Sequence, residues 1–260
     1  MPDRYQFALA LRALREVQAE IGQDPAPGLT IFPGLAETLD SAAPIPHESV
    51  LFGIAIDGLP LLLHLRDPRP GPILITGDRG SGKTDFLKML ILAANRLVPP
   101  GEMQFAVLAD FPSEWDDIFA PEHLSGVWPA YDPHSADLLN QLAWRVYTPS
   151  ENQPTLLLLD GLESILQMDD NSQENFARIL LNGPQALIWP VVTVNAEMAV
   201  KLPAWLAYFR TRIYGRISAP ATAEELTPIP GAALNGLFPG SQFCMREKSH
   251  WLKFWLPSLH

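Results

Sequence analysis

The sequence predicts an α/β domain built on a mostly parallel sheet flanked by helices, and three observations predict it. Apolar runs at Ile73–Thr76, Gln104–Asp110, Thr155–Asp160 and Ala186–Asn195 read as buried strands, three of them ending on a carboxylate or an amide. Between them lie helical periodicities, with Phe86, Leu87, Leu90 and Ile91 on one face and Leu138, Leu139, Leu142 and Ala143 on another, and a further helix over 172–181. A glycine-rich turn joins the first run directly to the first helix. Strand–helix alternation from 71 to 218 requires crossover connections, hence parallel pairing.

That turn, Gly77-Asp78-Arg79-Gly80-Ser81-Gly82-Lys83-Thr84, followed by Asp85, fits Gly-x-x-x-x-Gly-Lys-Thr in a strand–loop–helix context. Triphosphate is a dense anion. Gly77, Gly80 and Gly82 let successive backbone N–H groups converge on it without Cβ atoms in the way, at the positive end of the following helix. Lys83 is expected to reach the β- and γ-phosphates, and the Thr84 hydroxyl to take one position on Mg²⁺. Residues 77–85 are the expected ATP contacts.

Asp160 closes an apolar run, where a carboxylate holds Mg²⁺ through water opposite Thr84. Asn195 ends a later run, and its amide either positions the attacking water or simply caps its strand. Arg210, Arg212 and Arg216 share one face of a strand over 210–218; they either line a solvated edge or, in a ring, reach a neighbour's phosphates.

Taken from the N-terminus, residues 4–21 have helical period, with Phe7, Leu11, Leu14 and Val17 on one face. This helix packs on its own domain or docks another subunit. From 22 to 48, Pro25, Pro27, Pro33, Pro44 and Pro46 suggest an extended surface connector, so that 1–48 stands apart from an ATPase domain over 49–260. Asp57-Gly58 between apolar runs 49–56 and 59–65 signals a β-hairpin before the loop. Residues 112–133 read as irregular, 202–209 as a short helix, and 242–246 and 251–255 as short strands.

Composition narrows the function. With 47% apolar and 18% charged residues, the 260-residue chain is globular and large enough for one α/β domain plus an appendage. A net charge of −11 disfavours a broadly basic, nucleic-acid-binding exterior. One cysteine, Cys244, rules out an internal disulfide framework, and a reducing cytoplasm is the expected compartment. No apolar run reaches the roughly 18 residues of a membrane span, and the start, Met-Pro-Asp-Arg-Tyr, lacks a signal-peptide pattern.

The ordered set of segments resembles the motor domain of the FtsK/SpoIIIE and HerA class of P-loop ATPases. The likeness runs from about Leu51 onward and rests on Leu-Phe-Gly-Ile-Ala-Ile-Asp-Gly-Leu-Pro, the phosphate loop, Leu-Ala-Asp-Phe ending at Phe111 and Thr-Arg-Ile-Tyr-Gly-Arg-Ile-Ser. It implies a RecA-like fold, hexameric rings and movement of double-stranded DNA, or of polypeptide in secretion relatives. The departures fall on hydrolysis. Relatives resemble one another in Asp-Glu at the second motif, whereas Gly161 follows Asp160 here and the nearest glutamate is Glu163. The arginine that relatives donate to a neighbour is absent from Asn182-Gly183-Pro184-Gln185, leaving Arg178, and Asn195 stands where relatives carry Gln. The resemblance thus implies ATP and Mg²⁺ binding with slow or partner-dependent hydrolysis.

Two other functions fit parts of the pattern. A nucleotide-gated interaction module would hold structural ATP and dock a partner through the N-terminal helix or through Trp115, Trp128, Trp251 and Trp255. A small-molecule kinase shares the loop, but no arginine-rich lid segment follows the sheet.

Overall fold

A computed structural model describes residues 33–99, 101–116, 118, 123–148 and 153–259. The helix expected over 4–21 and the first part of the connector lie outside the described residues, and residues 33–260 cluster as one compact unit.

Ten strands form one sheet: β1 (Ser49–Ala55), β2 (Pro60–His64), β3 (Ile73–Gly77), β4 (Gln104–Ala109), β5 (Leu124–Pro129), β6 (Thr155–Asp160), β7 (Ile188–Asn195), β8 (Thr211–Tyr214), β9 (Gln242–Glu247) and β10 (His250–Trp255). Their order is β2-β1-β10-β9-β8-β3-β7-β6-β4-β5. From β8 to β5 every pairing is parallel; from β2 to β8 every pairing is antiparallel. The parallel half follows from the crossover helices; the antiparallel half contains the hairpin that the sequence signals at Asp57-Gly58 and a second one, β9–β10, formed by the two short C-terminal strands.

Both faces of the parallel half are covered, so side chains alternate between two cores. On one side Ile73, Ile75, Leu156, Leu158 and Val191 pack under the helix α2 (Lys83–Leu97) through Phe86, Leu87 and Leu90. On the other, Leu74, Leu157, Leu159, Val192 and Val194 meet α3 (Pro133–Tyr147) and α5 (Asp170–Asn182) through Leu139, Leu142, Phe176 and Ile179. Between β6 and α5, the single turn α4 (Leu162–Ile165) caps the strand.

Several expectations are revised. The connector is not wholly extended: α1 (Leu35–Ser41) begins after Gly34 and buries Leu35 and Leu39, because two leucines four apart form an apolar stripe that outweighs the flanking prolines. The stretch 112–133 is not wholly irregular, since it contains a 3₁₀ turn at Pro112–Trp115 and the strand β5. Gly126 and Pro129 mask that strand in sequence, and an edge position tolerates both. The arginine-bearing strand is no edge: β8 lies between β3 and β9, and only Thr211–Tyr214 is strand. A helix at Pro220–Leu226 had no counterpart in the sequence reading.

Candidate functional site

The parallel strands end in register. Gly77 of β3 pairs with Asn195 of β7, and Ala109 of β4 pairs with Asp160 of β6. Strand β7 runs between β3 and β6, so Asn195 stands between the glycine loop and Asp160. The carboxyl ends of parallel strands are where open α/β sheets bind ligands, and a cleft of about 720 Å³ opens there.

The loop is shaped by its glycines. Gly80 and Gly82 hold φ of +73° and +90°, a region that side chains disfavour. Gly82 also touches the backbone of Gly240, where a Cβ would come within 2.7 Å of that residue's Cα and carbonyl oxygen. From this residue α2 begins, its first turn closed by the Phe86 N–H donating to the Gly82 carbonyl at 2.9 Å.

Of the nine expected nucleotide contacts, Arg79, Gly80, Gly82, Lys83, Thr84 and Asp85 line the cleft. Gly77, Asp78 and Ser81 do not line it. Asp78 turns its carboxylate away to accept the Ser218 N–H at 2.7 Å, while its own N–H donates to the Arg216 carbonyl at 2.9 Å. Ser81 is buried with its hydroxyl close against Gly77 and Gly215 and without a hydrogen-bond partner among the described residues.

Lys83 uses all three ammonium protons inside the site: to Gly77 O at 3.1 Å, Asp78 O at 2.8 Å and Asn195 Oδ1 at 3.1 Å. Burial lowers its pKa below the usual lysine value, opposed by the negative charges of Asp160, Glu163 and Asp78. Thr84 Oγ1 donates to Asp160 Oδ2 at 2.8 Å, and Thr193 Oγ1 donates to the other oxygen, Oδ1, at 2.8 Å. Asp160 is thus held from both sides, by the loop helix and by β7. Glu163 Oε1 accepts the Asn195 backbone N–H at 3.3 Å, and Asp110 accepts the Ser164 hydroxyl.

The residues fit a hydrated divalent cation. Thr84 and Asp160 present hard oxygen donors within hydrogen-bond distance of each other, and no cluster of three or more His, Cys, Asp or Glu among the described residues forms an all-protein cage. One hydroxyl, one carboxylate, waters and substrate phosphates are the donor set Mg²⁺ prefers.

Two expected residues lie elsewhere. Arg178 is on α5, paired with Glu174 at 2.6 Å, and does not line the cleft. Arg212 donates to the Leu206 carbonyl at 2.6 Å and faces a separate cleft of about 620 Å³ with Arg210, Arg246 and Lys248. The sequence assigns no site role to Thr193, Asp110, Glu114 or Ser164, although it places Asp110 at the end of its strand. Thr193 is detectable as the one polar side chain within an apolar run.

In fold, with a mostly parallel sheet whose β3 leads through a glycine-rich loop into α2, the chain is similar to solved ATPase domains. No protein-family model and no curated protein matches the sequence. Among solved structures, the chain is similar to EccC of Thermomonospora curvata, ATPases 2 and 3 in complex with a signal sequence peptide, at TM-score 0.65 and 16% identity, covering 87% of this chain and 43% of that one. The cytoplasmic domain of EssC matches at TM-score 0.64 and 17% identity, over 95% of this chain and 51% of that one. The pCW3 conjugation coupling protein TcpA, solved with ATPγS, matches at TM-score 0.66 and 13% identity, over 92% and 72%. The chain therefore spans about half of the EccC and EssC chains. No helix among the described residues is long and apolar enough to cross a membrane.

Proposed function

We propose that the chain binds ATP with Mg²⁺ and works as a motor ATPase domain whose hydrolysis is slow or waits on a partner. The observation that carries this reading is the meeting of Lys83, Thr84 and Asp160 at one cleft, although 76 residues separate Thr84 from Asp160 in sequence. Arg79, Gly80, Gly82, Lys83, Thr84 and Asp85 would contact the nucleotide, with Thr84 and Asp160 on the cation. The lysine would exchange its carbonyl partners for phosphate oxygens. Five carboxylates, Asp85, Asp110, Glu114, Asp160 and Glu163, face two cations, Arg79 and Lys83, across the cleft. Bare triphosphate would be repelled there, so a divalent counterion is required.

Slow turnover follows from what surrounds the phosphates. An arginine supplied to the γ-phosphate is worth about 10³-fold or more in related chemistry, and neither Arg178 nor Arg212 lines this cleft. A ring in which a neighbour completes the site, moving DNA or polypeptide in the cytoplasm, accords with the resemblance. The −11 charge argues for weak DNA stimulation at physiological salt. The alternative, a nucleotide-gated module with structural ATP, is favoured by one feature, Gly161 where relatives place a glutamate.

Titration of a fluorescent ATP analogue with Mg²⁺ tests the core of the reading. Lys83→Ala should weaken binding at least tenfold. Equal affinity in the two proteins would overturn it.

A further inference from the structure

Gly161 removes the side chain that would follow Asp160, and other residues converge on the space it leaves. A Cβ at Gly161 would lie 3.5 Å from Asp110 Oδ2 and 3.6 Å from Glu163 Oε2. Each carboxylate is held by its other oxygen: Asp110 Oδ1 by the Ser164 hydroxyl, Glu163 Oε1 by the Asn195 N–H. Glu163 and Ser164 are consecutive on α4, whose single turn so ties the tips of the two strands that flank β6, namely β4 and β7. Two pinned carboxylates therefore turn their remaining oxygens toward one point beside Asp160, inside the cleft.

We propose that Asp110 is the general base of this site and that Glu163 helps it hold the attacking water, together replacing the glutamate absent at position 161. The assignment rests on the nucleotide reading above. In the step it serves, the water oxygen forms a bond to the γ-phosphorus. The bond from that phosphorus to the bridging oxygen breaks, its electron pair leaving with ADP, and the water proton passes to the Asp110 carboxylate. Asp110 is preferred as acceptor because it stands on the tip of a paired strand and is solvent-exposed at the cleft, whereas Glu163 lies against the backbone of Asn195. Ser164 is buried and acts only by orienting Asp110.

The test is single-turnover phosphate release from Mg²⁺·ATP by the full chain, with analogue affinity measured on the same samples. Asp110→Asn keeps an acceptor for the Ser164 hydroxyl and preserves shape. It should slow release by about 10² or more, the usual worth of a general base, with affinity within threefold of wild type. Glu163→Gln should cost less, and Ser164→Ala should lower the rate without altering affinity. Release by Asp110→Asn within threefold of wild type overturns the assignment, as does a parallel loss of affinity, which would make Asp110 a binding group. A wild type that binds nucleotide yet releases phosphate no faster than Lys83→Ala overturns the assignment alone. Failure of the wild type to bind at all sinks the nucleotide reading with it.

Discussion

Gly82 and Gly80 separate two costs that a glycine can avoid. Both are left-handed, but a Cβ at Gly80 would meet nothing within 4 Å, whereas one at Gly82 would collide with the Gly240 backbone. Gly80→Ala should therefore cost only the conformational penalty, about 1–2 kcal/mol. Gly82→Ala adds a clash that no side chain can relieve by rotating, and it should lose more stability in urea titration as well as nucleotide affinity. Equal losses in the two variants would show that the contact with Gly240 does not matter. At this scale the spacing of Gly77, Gly80, Gly82, Lys83 and Thr84 predicts a glycine-rich turn into a helix, and left-handed Gly80 and Gly82 ahead of α2 agree with it. The sequence could not reveal that Ser81 faces inward or that Asp78 bonds to Ser218, because both depend on a segment more than 130 residues away.

The loop helix α2 shows how an element delivers those residues. Phe86, three residues beyond Lys83, is fully buried and meets the rings of Phe52, Phe243 and Phe254 edge-on at centroid distances of 5.7, 5.0 and 6.1 Å. It joins the helix carrying Lys83 and Thr84 to β1, β9 and β10. Phe86→Ala should cost about 3–5 kcal/mol, read from chemical denaturation, and Phe86→Leu distinctly less. A loss under 1 kcal/mol for the alanine variant would mean that the antiparallel strands do not anchor the helix. Long periodic elements such as α2, α3 and β6 were legible because their burial repeats with the backbone period. Short ones were not. The turn α4 and the strand β5 are made by tertiary contacts, with Gly126 and Pro129 arguing locally against a strand that the sheet edge accepts.

Across the whole molecule, charge and incompleteness point the same way. Among the described residues the cleft is acidic and has no arginine besides Arg79, so on the proposed reading a neighbouring copy would supply what the γ-phosphate needs. Light scattering should show a rise to a multiple of the 28.7 kDa monomer when Mg²⁺ and ATPγS are added. A mass unchanged at ten times the nucleotide Kd would argue for the gated module instead.

By itself, the sequence determined the α/β class, the hairpin before the loop, the glycine-rich turn between β3 and α2 and the carboxylate that ends β6. Each is a local property, set by glycine conformational freedom, hydrophobic period and the residue at a strand end. Only the tertiary structure decided that β7 runs between β3 and β6, bringing Asn195 to Lys83 and Thr193 to Asp160, and that Asp110 and Glu163 face the space left by Gly161. Strand order in a parallel sheet comes from how crossover helices pack on its two faces. That is a sum over many distant contacts, and no single window of sequence contains it.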